Sequence, residues 1–353
     1  MASRPSLRND LPMVPGPDRY DYLPDHRRGR VAHRCHTTRT CTPRTRTCCP
    51  LGGFMPSPFR FGVSLVSLAS AEAWRKKCGE AEKLGYDVIL VPDHLGMPAP
   101  FPALVAAAEA TEHTRLGTFV LNSAFWNPTL LAREVTTTDT LTGGRLELGL
   151  GAGYLRAESE SATPFYGTTP RKRVDHLIDT IERLDTMLNC DELSRCPKSV
   201  QSPRIPLMVG GNGDRVLRLA AKYADIAAFA GARTVPGSVT GRLVPLKAED
   251  LDERIARYQW FAAGRGEAAE LNLMIQSVVI TNHRERVIRP FLKQMPHLTT
   301  GQALELPIFL TGTLRQIIGQ VRERRDRYGF SYFAVLERHM REFAPVVSEL
   351  RGR

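Results

Sequence analysis

The sequence lacks the features that mark a membrane protein or a disulfide-rich secreted protein. No uninterrupted run of about 18 apolar residues occurs in the chain, so no membrane-spanning helix is predicted. The seven cysteines are an odd number, and no apolar signal segment precedes them. Both facts argue against a disulfide framework. We therefore expect a protein of the reducing cytoplasm.

Two common phosphate-binding signatures are missing as well. The chain has no Gly-Lys-Ser/Thr sequence of a P-loop, and its first strand-like run is followed by Ser64-Leu65-Val66-Ser67 instead of a glycine-rich turn. The sequence GLGAGY at 149–154 approaches a dinucleotide fingerprint, but Tyr154 stands at the third glycine position. These absences disfavour a doubly wound open sheet.

Positive charge and cysteine are concentrated near the amino terminus. The 353 residues carry a net charge of +11, of which residues 1–58, with ten Arg and four Asp, supply +6. Four of the seven cysteines and nine prolines also lie in that segment. Its low hydrophobicity predicts a disordered leader over 1–56. A single domain is predicted to follow over 57–353.

Other interpretations of the leader remain open. Its cysteines and histidines suggest a zinc site, but they lack paired spacing and a surrounding apolar core. Prolines disfavour a transit peptide, and the absence of aromatic residues from 25–50 disfavours a nucleic-acid-binding arm. Met55 stands directly before the first strand-like run, so the functional protein is expected to begin near Met55 and the upstream start to be mis-assigned.

Short apolar runs alternate with helical segments from residue 59 onward, which is typical of βαβ units. Strands are predicted at 59–66, 86–92, 115–121, 145–150, 205–210, 225–231, 271–280 and 331–337. Helices are predicted between Ser70 and Gly85 and at 102–112, 128–141, 171–188, 214–223, 249–263, 283–294, 313–327 and 339–350. Eight strands with helical crossovers predict an α/β fold of the (β/α)8 TIM-barrel type.

Candidate site residues follow the predicted strands, because active sites of such barrels lie at the carboxyl ends of the strands. They are Asp93 and His94 after the second strand, Asn122 after the third, Gly151, Gly153, Tyr154 and Glu158 at or after the fourth, and Gly210, Gly211, Asn212 and Gly213 after the fifth. Each of them alone is better explained by a cap, a turn, a surface histidine or, for the glycines, a bulge or tight barrel packing. Together they predict a pocket for a flat, phosphorylated cofactor, since a helix amino terminus favours phosphate and histidine moves protons near neutral pH.

The chain resembles the bacterial luciferase-like family of flavin and deazaflavin oxidoreductases over 59–350. The resemblance is carried by AEKLGYDVILVPDHLG, by NPTLLAREVTTTDTLTGGRLELGLGAGY and by PLMVGGNGDRVLRLAAKYAD. Within the family it is most similar to the branch that uses the deazaflavin coenzyme F420. The resemblance implies a barrel whose mouth holds the deazaflavin ring and an enzyme that exchanges hydride with a small organic substrate.

The resemblance also implies roles for individual residues. Asp93, His94 and Glu158 would form the catalytic group, with Asp93 and His94 beside the ring and His94 as proton donor or acceptor. A non-prolyl cis peptide is expected at Phe119–Val120. The cofactor would be held by Asp93, Phe119, Val120, Asn122, Gly151, Gly153 and Tyr154 at the ring and by Gly210, Gly211, Asn212 and Gly213 at the phosphate. Arg171, Lys172 and Arg173 would meet an oligoglutamate tail or form a solvated face.

The leading hypothesis is therefore an F420-dependent oxidoreductase, with an FMN-dependent monooxygenase as the alternative. A paralogue that binds cofactor without catalysis is disfavoured by the intact Asp93–His94 pair. We expect a homodimer with no metal, no membrane and no nucleic-acid partner. Tyr154 replaces an acid found in the sugar-phosphate dehydrogenase branch, which disfavours glucose 6-phosphate as the substrate.

Overall fold

A computed structural model describes residues 57–153, 158, 169–189, 198–235 and 243–353. The predicted leader with its cysteine and histidine cluster lies outside the described residues, as does Tyr154.

Eight parallel strands form a closed barrel, which confirms the predicted (β/α)8 fold. In the order of pairing around the barrel these are β1 (Arg60–Ser64), β2 (Val88–Val91), β3 (Arg115–Thr118), β5 (Leu146–Gly151), β6 (Leu207–Gly210), β7 (Ile226–Phe229), β10 (Glu270–Ile275) and β13 (Phe330–Leu336). Pairing of β13 with β1 and of β3 with β5 closes the cylinder. The short strand β4 (Leu121–Asn122) continues the line of β3 and also pairs with β5.

Helices cover the outside of the barrel. They are α1 (Ala71–Lys83), α2 (Pro100–Ala108), α3 (Pro128–Leu141), α4 (Pro170–Asn189), α5 (Asp214–Tyr223), α6 (Ala248–Ala262), α7 (Arg284–Gln294), α8 (Thr300–Leu304), α9 (Leu314–Tyr328) and α10 (Met340–Leu350). Among the described residues, none of these helices combines the length and the apolar character needed to cross a membrane.

The ends of α1 show how local sequence sets a helix boundary. The Ser70 hydroxyl accepts a hydrogen bond from the Ala73 backbone N–H at 3.1 Å, as an N-cap residue does. Gly85 follows the last turn with φ +86°, a left-handed conformation that glycine adopts without a steric penalty. Both residues were predicted from the sequence to bound this helix.

The predicted strand over 271–280 is wrong in one respect, because it consists of two strands with different partners. The first part is β10 of the barrel, whereas β11 (Ser277–Ile280) leaves the barrel and pairs in parallel with β12 (Phe309–Gly312). The sequence did not predict β12, α8 or the antiparallel hairpin of β8 (Ala232–Thr234) and β9 (Leu243–Pro245). The pairing of β11 with β12 depends on a contact that is distant along the chain, which a local apolar pattern does not encode.

Apolar side chains form two separate layers. The larger core lies between the strands and the surrounding helices and contains aromatic residues such as Phe61, Trp74 and Phe343. The smaller core lies inside the barrel and includes Leu90, Met274 and Tyr332. Strands covered on both faces are therefore apolar along most of their length, as parallel barrel strands are.

Charged side chains close the amino end of the barrel, which we call the base. Arg60 Nη1 lies 2.7 Å from Glu147 Oε1, and Arg60 Nη2 lies 2.9 Å from Glu270 Oε2. Arg115 Nε lies 2.6 Å from the same oxygen of Glu147. The Arg60 guanidinium also stands over the Tyr332 ring, 4.3 Å from its centroid. Arg60 and Arg115 are therefore both bound to carboxylates at this end of the barrel.

Candidate active site

The carboxyl end of the barrel, which we call the mouth, gathers side chains from several strands. After β2 the chain passes directly into Pro92, Asp93 and His94. After β3 a bend leads into β4 and a short 3-10 turn at Ser123–Phe125. After β5 the chain passes Gly153, and Glu158 follows further along the same connection. The sequence analysis correctly placed these groups at one edge of the sheet.

A cis peptide bond joins Phe119 and Val120 in the bend between β3 and β4, as expected. The Val120 side chain lies against glycines of the neighbouring strands. A methyl group added at Gly151 would lie 2.7 Å from Val120 Cγ2, and one added at Gly210 would lie 3.3 Å from Val120 Cγ1. Both distances are shorter than an ordinary carbon contact. Gly151 and Gly210 thus leave room for the Val120 side chain, which is close packing within the barrel.

Asn122 lies at the centre of the mouth and is 3% exposed. Its Oδ1 accepts a hydrogen bond from the Ala124 backbone N–H at 3.2 Å, while its Nδ2 has no hydrogen-bond partner among the described residues. Gly153, with φ +67°, passes so close that an added methyl group would lie 2.4 Å from Asn122 Oδ1. Asn122 therefore keeps one buried donor unused, next to a position where only glycine fits.

Asp93 is held by two neutral donors from the same turn. Its Oδ2 accepts from Trp126 Nε1 at 2.9 Å and from the Asn122 backbone N–H at 3.2 Å. Burial raises the pKa of Asp93, and these hydrogen bonds oppose the shift without reversing it. The carboxyl group therefore keeps its proton to a higher pH than an exposed aspartate does.

His94 and Glu158 form a pair between the segments that follow β2 and β5. His94 Nδ1 lies 3.1 Å from both carboxylate oxygens of Glu158. Glu158 Oε1 also accepts a hydrogen bond from the Leu95 backbone N–H at 3.1 Å. The His94 side chain is 27% exposed, whereas that of Glu158 is 8% exposed. A buried carboxylate thus orients a partly exposed imidazole.

The four residues predicted to hold phosphate, at 210–213, differ in how their polar groups are hydrogen-bonded. Gly210 belongs to β6, and the Gly211 backbone N–H donates to Ala228 O at 3.1 Å. Asn212 Nδ2 donates to Ala232 O at 2.5 Å, while its Oδ1 is buried without a partner among the described residues. Gly213 is the N-cap residue of α5 and offers no side-chain cap to the first turn. The Gly211 N–H is thus already hydrogen-bonded within the barrel. The amino terminus of α5 is the part of this segment best suited to bind an anion.

Asp214 stands in the first turn of α5, where its charge alone would repel an anion. Its Oδ1 lies 2.8 Å from Arg254 Nη1, and its Oδ2 lies 3.7 Å from Arg257 Nε. Two arginines of α6 therefore offset the charge of this carboxylate.

The three basic residues at the start of α4 differ in their exposure to solvent. Arg171 and Lys172 are exposed, but Arg173 is buried, and burial lowers its pKa. An anionic tail therefore meets at most two of the three side chains on the surface.

The sequence analysis missed His176, which is buried on α4. Its Nε2 lies 2.9 Å from Ser123 O and 3.3 Å from Trp126 O. One sequence signal was present, because His176 lies on the apolar stripe of α4 formed by Leu177, Ile181 and Leu184. A polar ring in such a stripe needs a buried partner.

Comparison with known proteins identifies relatives of two kinds. A sequence model of the luciferase-like monooxygenase family matches residues 57–301. The oxygenase component of a flavin-dependent trigonelline monooxygenase from Acinetobacter baylyi is 30% identical over 37% of this chain and 41% of its own length. An F420-dependent glucose-6-phosphate dehydrogenase from Nakamurella multipartita is 25% identical over 66% of this chain and 71% of its own length.

A solved structure extends the likeness in fold to the whole of another chain. It is an F420-dependent secondary alcohol dehydrogenase in complex with an F420–acetone adduct, with a TM-score of 0.62 and 16% identity. The match covers 83% of this chain and 99% of that one. The chain spans less than half of the trigonelline monooxygenase, so the likeness to that enzyme is confined to part of it.

Proposed function

The chain belongs to the luciferase-like monooxygenase family, whose relatives here are oxidoreductases, and from this premise we propose that it is an F420-dependent oxidoreductase. The observation that carries the proposal is the His94–Glu158 pair at the mouth, together with the buried Nδ2 of Asn122. The relative that spans two thirds of the chain is named as F420-dependent, which favours the deazaflavin over FMN. Flavin-dependent relatives make an FMN-dependent monooxygenase the second candidate.

The side chains of the mouth fit a flat, phosphorylated cofactor. The unused Asn122 Nδ2 is a donor for a ring carbonyl, and Gly153 lets the backbone lie directly against the side chain that carries this donor. The start of α5, with its charge offset by arginines, suits a phosphate. When bound, reduced deazaflavin supplies hydride from its C5 atom.

The residues of this chain would transfer the proton and hold the groups around the ring in position. Glu158 holds Nδ1 of His94, and the His94 imidazole would give a proton to the substrate or take one from it. Asp93 fixes Asn122 and Trp126 in place through its two hydrogen bonds. Because burial raises the pKa of Asp93, this carboxyl adds less negative charge beside the ring than an exposed one would.

Titration of the purified protein with each cofactor tests the proposal. We expect micromolar binding of F420, much weaker binding of FMN, and oxidation or reduction of F420 when a suitable alcohol or carbonyl compound is added. Micromolar binding of FMN with none of F420 would refute the deazaflavin assignment and favour the monooxygenase. The variant Asn122→Ala, which removes the buried donor, serves as a negative control for ring binding.

Three further expectations belong to the same proposal. The substrate is a small organic molecule, the protein acts in the cytoplasm, and it forms a homodimer. Leu130 and Leu141 on α3 are about half exposed, at 50% and 56%, which suits a surface covered by a second subunit. Sedimentation of the purified protein tests the dimer directly.

A further inference from the structure

The turn between β4 and α3 carries two of the residues that surround Asp93. Asn122 precedes it and caps it through Oδ1, and Trp126 follows it with its backbone N–H 3.1 Å from Ser123 O. The Trp126 ring packs edge-on against Phe101, with centroids 5.2 Å apart. The position of this turn therefore decides where Asn122 Nδ2 and Trp126 Nε1 point.

His176 reaches this turn from a different part of the chain. It lies 50 residues beyond Trp126 on α4 and is 7% exposed. Its Nε2 faces the carbonyl oxygens of Ser123 and Trp126, at 2.9 and 3.3 Å. A carbonyl oxygen only accepts, so Nε2 must carry a hydrogen. The Thr180 hydroxyl, 3.5 Å away, lies at the outer limit of a hydrogen bond.

We infer that His176 is a positioning residue, which holds the 123–126 turn through Nε2–H and thereby sets the geometry of Asn122 and Asp93. The inference rests on the proposed function, because it assigns His176 to a cofactor site. The connection is continuous: His176 binds the two ends of the turn, and Trp126 Nε1 and the Asn122 N–H bind the same oxygen of Asp93. His94 follows Asp93 directly in the chain.

Simple core packing does not account for this histidine. Its neighbours Leu177 and Ile181 are fully buried and apolar, and a leucine in place of His176 would pack there at no desolvation cost. Burying an imidazole is unfavourable unless its polar atoms are bound. A donor aimed at two main-chain carbonyls therefore indicates a role in fixing the turn.

Paired substitutions of His176 test the inference. Glutamine keeps an N–H group at a reach similar to Nε2, leucine removes it, and asparagine is one carbon shorter. In His176→Leu we expect the indole ¹H–¹⁵N signal of Trp126, identified with Trp126→Phe, to shift. We also expect the dissociation constant for F420 to rise about tenfold, the loss of roughly one hydrogen bond. In His176→Gln both should return to near wild-type values.

The outcomes separate the inference from its alternatives. If leucine and glutamine weaken F420 binding equally while the indole signal stays in place, His176 only fills space and the inference is overturned. If His176→Leu does not fold, His176→Asn replaces it, and an indole signal and F420 affinity like those of wild type would likewise overturn the inference. The indole signal is measured without cofactor, so it decides the role of His176 even if wild type binds no F420.

Discussion

At the base of the barrel Glu147 accepts hydrogen bonds from Arg60 and Arg115, whereas at the mouth the partners of Asp93 among the described residues are the neutral donors Trp126 and Asn122. Both carboxyl groups are held in place, but only the first has cationic partners. Burial raises the pKa of Asp93, and the hydrogen bonds from Trp126 and Asn122 oppose this shift without reversing it. Ion pairs therefore connect the strands at the base, whereas the polar groups at the mouth can change hydrogen-bond partners when a ligand binds.

The largest expected effect of a single substitution lies at the mouth and concerns turnover. His94→Ala should lower kcat by about 10²- to 10⁴-fold, the contribution typical of general acid–base catalysis, with little change in unfolding free energy. Steady-state kinetics on any substrate that wild type converts, together with a thermal melt, measure both. His113→Ala, at a fully exposed histidine, is the control and should change neither. Unchanged turnover in His94→Ala would remove this residue from the chemistry.

At the base the large effect should be on stability instead. Glu147→Gln leaves Arg60 and Arg115 without their shared carboxylate and should lower the unfolding free energy by about 3 kcal/mol. Turnover per folded molecule should stay near wild type. Urea denaturation and kinetics measure the two quantities. Glu349→Gln, which breaks an exposed pair with Arg353, should cost less than about 1 kcal/mol. An equal loss of unfolding free energy in Glu147→Gln and Glu349→Gln would contradict a structural role for the charged cluster at the base.

A glycine at the mouth should affect both stability and cofactor binding. Gly153→Ala forces a side chain into a left-handed conformation and against Asn122 Oδ1, which should cost about 1–2 kcal/mol of unfolding free energy. F420 affinity should fall as well, because Asn122 must move. Gly319→Ala in α9 meets no neighbouring atom and should stabilise the protein by about 0.5–1 kcal/mol. F420 affinity equal to wild type in Gly153→Ala would show that Asn122 does not bind the ring.

The smallest effect concerns acid stability at the base. Glu82 accepts hydrogen bonds from the backbone N–H groups of residues 112–114. Burial opposes ionisation of Glu82, but these bonds prevail and lower its pKa to about 2. A lowered pKa stabilises the fold above the unfolded value of 4.5, and that stability is lost as the pH falls toward 2.

Glu82→Gln should therefore lose less stability than wild type between about pH 5 and pH 2. Because Glu82 is only partly buried and solvent screens its charge, the difference should be only about 1 kcal/mol. Urea midpoints at several pH values measure it. If the urea midpoints of the two proteins fell in parallel as the pH is lowered, Glu82 would not contribute to the loss of stability in acid.

Elements with local signals were predicted well. The bounds of α3 at 128–141 and of α5 at 214–223 agree with the structure. Pro128 at the first turn of α3 and the glycines after its end mark that helix within a few residues of each boundary. Strand β12 carries no comparable local signal, because its partner β11 lies about thirty residues away. The apolar run over 271–280 looked like one strand for the same reason.

The candidate site shows the same division. Asp93, His94 and Asn122 were predictable because they follow apolar runs that end at one edge of a barrel. The pairing of His94 with Glu158 across 64 residues was not predictable from spacing. The hydrogen bonds of His176 to the 123–126 turn were equally hidden. For Gly151 and Gly210 the sequence suggested close approach to a ligand, whereas the structure shows the Val120 side chain beside both.

The sequence by itself determined the alternation of strands and helices, and with it the barrel and the edge at which its polar residues lie. It did so because hydrophobic period, caps and turn residues act between near neighbours in the chain. Only the tertiary structure decided which of these residues touch: Glu158 on His94, Trp126 on Asp93, and His176 on the turn. Those contacts form only when the barrel closes and brings distant segments within hydrogen-bond distance.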